Sequence, residues 1–261
     1  MYKAYHLPPL DFGSSTGELI SIGDSCVINE HKEIFDDKIE YFISKKTGRL
    51  NAGKITASWF PQIKADIFIS HSHGDYADVV ALAGWLYQNF NIIAFVDGCV
   101  WGFCEKLLKL IDDKYCRMSN GNYYDYNKRN FSTSHVYMRL AMSISEMIHN
   151  TECAFFYNTP NSIIPSEMFS STMYTLSLWI FTELEITRKI KTRKPEKHRI
   201  LSKLIKEDFR QFSDNKLFVE YEVNLSHLIK LDVNFLTRWE MMKTEFCGDK
   251  NIALDYLYEN C

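Results

Sequence analysis

From Ala65 onward the chain alternates short apolar runs with stretches of helical period, and this alternation restricts the fold more than any other feature. Asp66-Ile67-Phe68-Ile69-Ser70 has the length and content of a buried strand, and the polar His71 to Asp75, with Gly74, reads as a loop. Tyr76 to Phe90 then places Val79, Val80, Leu82, Ala83 and Leu86 at helical spacing. Ile92 to Val96 is a second apolar run, ending at Asp97-Gly98. Strand, loop, helix and strand within about 30 residues is the span of a βαβ unit, which requires parallel strands and a right-handed crossover.

The pattern continues more loosely. Glu105 to Ile111 reads as helix, and the polar, tyrosine-rich Asp112 to Thr133, with a turn at Asn120-Gly121, reads as an insertion, so that an irregular region is expected near 105–133. Ser134 to His149 repeats apolar residues at Val136, Leu140, Ile144 and Ile148. Cys153 to Tyr157 is a third apolar run, Tyr174 to Arg188 a third helix, Leu217 to Val223 a fourth candidate strand and Phe235 to Phe246 a last helix. Alternating strands and helices predict an α/β fold with a mainly parallel central sheet flanked by helices. Residues 1–62 follow a different pattern and read as a small, β-rich N-terminal extension to a domain at 63–261, with Glu18 to Ile22 and Ser25 to Ile28 as hairpin arms around Gly23-Asp24.

Composition removes several classes of function. The net charge of −3 disfavours general nucleic-acid binding through phosphate neutralisation. Seven cysteines, an odd number with no C-x-x-C pair, read as reduced thiols of a cytoplasmic protein rather than a zinc site or disulfide framework. No stretch approaches 18 uninterrupted apolar residues, and the first ten residues lack the pattern of a signal peptide, so no membrane association is expected.

Ligands of open parallel sheets sit beyond the carboxyl ends of the strands. Three segments are expected to converge there: Ser70-His71-Ser72 after the first strand, Asp97 to Gly102 after the second, and the helix that carries Trp179 and Glu183. Trp179 and Glu183 lie four apart and so share a helix face, beside the apolar stripe Leu176, Ile180 and Leu184. A carboxylate at the edge of a buried face, next to an indole, is partly desolvated, a setting frequent in active sites. His71 and His73 form a His-x-His without a third ligand nearby in sequence. They read as polar lining and turn chemistry, and no metal site is expected.

These same segments carry a resemblance. Asp66-Ile67-Phe68-Ile69-Ser70-His71-Ser72 resembles the opening strand of Toll/interleukin-1 receptor (TIR) domains, and Phe95-Val96-Asp97 resembles the end of their second strand. Ser177-x-Trp179-x-x-x-Glu183-Leu184 is similar to the helix bearing the catalytic glutamate of bacterial NAD⁺-cleaving members, including Thoeris-like antiphage proteins; Ile180 stands where a cysteine is common. The resemblance covers about residues 64 to 225. It implies a flavodoxin-like TIR fold, Glu183 as the catalytic carboxylate, and a substrate pocket formed by Ser70, His71, Ser72, Asp97, Trp101 and Trp179. The substrate would be NAD⁺, with no further cofactor. The products would be nicotinamide with ADP-ribose or a cyclic ADP-ribose-type signal. Self-association through TIR surfaces and a downstream effector that senses the product are also implied. Two other readings stay open: a non-catalytic TIR adaptor, and a nucleoside deoxyribosyltransferase-like enzyme that uses a related sheet and a glutamate nucleophile.

Overall fold

The computed structural model describes residues 1–28, 39–96, 104–119, 121, 123–165, 173–196, 199 and 221–261. Among these, five strands form one sheet in which all pairs are parallel. They are β1 (Lys3–Leu7), β2 (Ile67–Ser70), β3 (Ala94–Val96), β4 (Cys153–Tyr157) and β8 (Ile229–Lys230), in the spatial order β3-β2-β4-β1-β8. Every residue of β2, β3 and β4 is buried, as expected for strands with helices over both faces. The fold is therefore α/β with a parallel sheet flanked by helices, as the alternating pattern predicts, in a flavodoxin-like arrangement.

From Ala65 onward the strands follow the flavodoxin-like order 2-1-3, with the reversal of strand order between β2 and β4. The next position is filled from the opposite end of the chain. β1 pairs with β4 from Lys3↔Cys153 to Leu7↔Tyr157 and with β8 at Tyr5↔Ile229. Residues expected as an appended extension thus supply an interior strand. The hairpin expected around Gly23-Asp24 is instead one helix, α1 (Thr16–Ile28).

Gly23 is there for close approach, not for a turn. α1 lies against α3 (Tyr76–Phe90), and a Cβ placed on Gly23 would come within 2.1 Å of the Val80 carbonyl oxygen. One on Gly84 would come within 2.0 Å of the Leu19 carbonyl oxygen. The two backbones touch at this crossing, which buries α3 nearly all round, from Val79 to Leu86.

The remaining helices are α2 (Ala52–Trp59), α4 (Cys104–Tyr115), α5 (Tyr126–Asn150), α6 (Leu178–Lys189), α7 (Val233–Met241) and α8 (Lys250–Glu259). α7 joins the α1–α3 group by stacking Trp239 on Phe90, with ring centroids 4.2 Å apart. The expected insertion is mostly helix, because Asp125 caps α5 by accepting from Lys128 N and starts it well before Ser134. Among the described residues there, the stretch between Tyr115 and Tyr126 stays irregular, with a turn at Gly121, φ +75°, and the Arg117↔Tyr124 bridge.

A small antiparallel sheet joins β5 (Ile164–Pro165), β6 (Met173–Thr175) and β7 (Tyr221–Val223). The fourth candidate strand belongs to this sheet, not to the central one. Tyr174, expected in a helix, is in β6. Ser177 accepts from Ile180 N and moves the start of α6 to Leu178.

The α1–α3 contact supplies a test. Gly84→Val forces the two backbones apart and is expected to lower stability by about 3 kcal/mol in urea unfolding. A loss below about 0.5 kcal/mol would mean that the helices do not meet there.

Candidate active site

Ser70 is the last residue of β2 and lies opposite Phe156 of β4, at the reversal of strand order. Its hydroxyl donates a hydrogen bond to Glu183 Oε2 from α6. Both side chains are buried, Glu183 with 2% of its surface exposed and Ser70 with 5%. The buried residues of α6 are Ile180, Glu183 and Leu184, so Glu183 occupies the middle of the inward face rather than its edge. Leu176, read as part of the apolar stripe, precedes the capping Ser177 and is 50% exposed.

The other expected site residues divide. Trp179 is half-buried, and its indole leans on Tyr137 of α5 at 5.8 Å and 42°. His71 is buried, with Nδ1 3.4 Å from the Ile69 carbonyl oxygen. Ser72 caps the short 3₁₀ helix His73–Asp75 by accepting from Gly74 N, and His73 is exposed. Asp97 and Trp101 lie outside the described residues. Among the described residues, no group of three or more His, Cys, Asp or Glu side chains stands where it could hold a metal ion. No helix among them is long and apolar enough to cross a membrane.

Three residues that sequence reasoning did not combine brace the site. Asp75, the last residue of the predicted loop, makes no side-chain cap for α3. Its carboxylate is buried and accepts from Thr159 Oγ1 at 2.5 Å and Asn161 Nδ2 at 2.7 Å. This ties the loop after β2 to the loop after β4. Thr159 and Asn161 lie in Asn-Thr-Pro-Asn-Ser, an ordinary turn sequence, so only the parallel pairing of β2 with β4 brings them to Asp75.

A cavity of about 10 Å³ adjoins Glu183, walled by Ser70, Phe156, Ala154 and Thr187. That is room for about one water molecule. Thr187 Oγ1 is 3.0 Å from His227 Nε2, and burial lowers the His227 pKa below its usual value, which favours a neutral imidazole. The far larger cavity elsewhere, about 730 Å³, touches none of these residues. Chemistry and topology, rather than cavity size, single out Glu183.

The arrangement defines a class: a flavodoxin-like α/β protein with a buried carboxylate hydrogen-bonded to a strand-end serine at the sheet's switch point. Comparison with protein-family models, curated proteins and solved structures found no significant match.

The loop tie supplies a second test. Asp75→Ala leaves the Thr159 hydroxyl and the Asn161 amide without their acceptor and is expected to lower stability by about 2 kcal/mol. Hydrogen exchange should rise in 71–75 and 158–162 together. Faster exchange in only one of the two loops would show that they are not coupled through this carboxylate.

Proposed function

We propose that this protein cleaves the nicotinamide–ribose bond of NAD⁺, with Glu183 as the catalytic carboxylate. The supporting observation is Glu183 itself, buried and held by Ser70 where the strand order reverses, the position at which open α/β sheets bind ligands. The resemblance of Ser177-x-Trp179-x-x-x-Glu183 to the NAD⁺-cleaving TIR helix points to the same residue.

The chemistry suits a single carboxylate. Nicotinamide in NAD⁺ is joined through a cationic nitrogen and leaves as a neutral pyridine, so no general acid is needed to protonate it, unlike the leaving group of most glycosidases. As the C1′–N bond breaks, its electron pair passes to the nitrogen and positive charge develops on the ribose. A fixed carboxylate stabilises that charge and orients the ribose hydroxyls. Water then adds its oxygen to C1′ and releases a proton, which gives ADP-ribose; attack by an adenine nitrogen gives a cyclic product instead. In this proposal Ser70 holds Glu183 in place, His71 and Ser72 line the sugar and phosphates, and Trp179 with Tyr137 forms an aromatic wall. Asp97 and Trp101 complete the pocket, with self-association supplying parts of it from a neighbouring molecule. The product would act in antiphage defence, by NAD⁺ depletion or as a signal to an effector.

The small cavity beside Glu183 favours a second reading, an adaptor that acts only through TIR surfaces. Incubation with NAD⁺ and mass analysis of the products separates the two. The wild type should release nicotinamide, and Glu183→Gln should release it about 10²–10³-fold more slowly while melting at a similar temperature. Equal release by both proteins, at high concentration and with crowding agent, would sink the proposal. Base exchange on deoxynucleosides with indifference to NAD⁺ would identify a deoxyribosyltransferase instead.

A further inference from the structure

A large cavity lies between α2, α4 and α5, away from Glu183. Its volume of about 730 Å³ falls within the range of small-molecule sites, roughly 300–1,000 Å³. The floor is hydrocarbon, formed by Leu50, Ile55, Ile111 and Val136. Ile55, Ile111 and Val136 belong to the hydrophobic core, so the groove opens directly onto it. Phe131 stands at the mouth with 64% of its surface exposed, its ring centroid 4.4 Å from that of His135. An exposed aromatic beside an open apolar groove marks a surface that gains by being covered.

The rim carries charge of one sign. Among the described residues, Arg49, Lys128 and Arg139 line it, and no Asp or Glu does. Nearby carboxylates are engaged elsewhere. Asp112 accepts from Ser132 and, at 2.9 Å, from Arg129 Nε; Asp125 caps α5; Glu40 pairs with Lys114. The side chains of Arg49 and Lys128 form no ion pair with any described residue. The Ser132 hydroxyl, which lines the wall, is already taken by Asp112. The hydrocarbon floor and cationic rim complement a chain with a single anionic head.

We infer that this groove binds a free fatty carboxylate, with its tail along Leu50, Ile55, Ile111 and Val136 and its head between Arg49 and Lys128. Tail burial sets affinity, since each methylene taken from water contributes about fourfold. The cations set selectivity, through charge-assisted hydrogen bonds that a neutral alcohol cannot match.

Isothermal titration of the full chain with octanoate, decanoate and 1-octanol tests this. Decanoate should bind about tenfold or more tighter than octanoate, and octanoate about tenfold tighter than octanol. Replacing both cations, Arg49→Ala with Lys128→Ala, should weaken the carboxylates about tenfold and leave octanol unchanged. Ala52 is exposed at the mouth, so Ala52→Trp should block all three ligands without lowering the melting temperature. Glu183→Gln should bind as the wild type does, which keeps this result independent of the fate of the NAD⁺ proposal. Octanol binding as tightly as octanoate, carboxylate binding that survives Ala52→Trp, or no binding of decanoate at millimolar concentration would each overturn the assignment.

Discussion

The sheet depends on β1 being laid between β4 and β8. It is the one strand that hydrogen-bonds to both, and without it β4 would present an open edge and β8 would have no partner in the sheet. The pairing is reinforced by Tyr5, fully buried, whose ring meets Phe155 edge-on at 5.8 Å. Tyr157, at the end of β4, accepts from Leu10 N through its hydroxyl, so the N-terminal segment also secures the carboxyl end of β4. That end leads into Thr159 and Asn161 and, through Asp75, fixes the loop that follows Ser70. The geometry of the candidate site is therefore built partly from residues far from it in sequence.

Packing alone does not explain Glu183. The centre of a buried helix face favours an aliphatic side chain, and a hydrogen-bonded buried polar group is commonly no better for stability than an apolar one of similar volume. Leucine or methionine would suit the neighbourhood of Ile180, Leu184 and Phe156. A lone departure from local packing rules, at the point where topology creates a crevice, is the pattern expected of a functional group. Asp112 is also buried; it is held by Arg129 and Ser132 and reads as a structural anchor between α4 and α5.

Legibility in the sequence followed the range of the interactions. Ile67 to Ser70 and Cys153 to Tyr157 could be read as strands because both faces are buried, which leaves an uninterrupted apolar run. The helix that carries Trp179 and Glu183 was readable because helical period is local. β1 was not, since Lys3 and His6 break its apolar run and its partners are remote. Gly23 was misread for a related reason. Glycine serves both turns and close helix crossings, and the second use is visible only once Val80 is known to lie across from it. Asp75 likewise looks like any residue before a helix until the loop after β4 is brought alongside it.

The placement of β1 also orders events in time. Lys3 contacts the Tyr258 carbonyl, 255 residues further along, and the strand's own partners follow only at β4 and β8. β1 therefore cannot pair until β4, Cys153–Tyr157, is present. Closing such long-range parallel pairings is slow, and an apolar strand left waiting invites association with other chains. Assembly of the sheet thus waits on strands remote from β1 in sequence. A fragment that stops before Cys153 would hold β1 without the strand that accepts it.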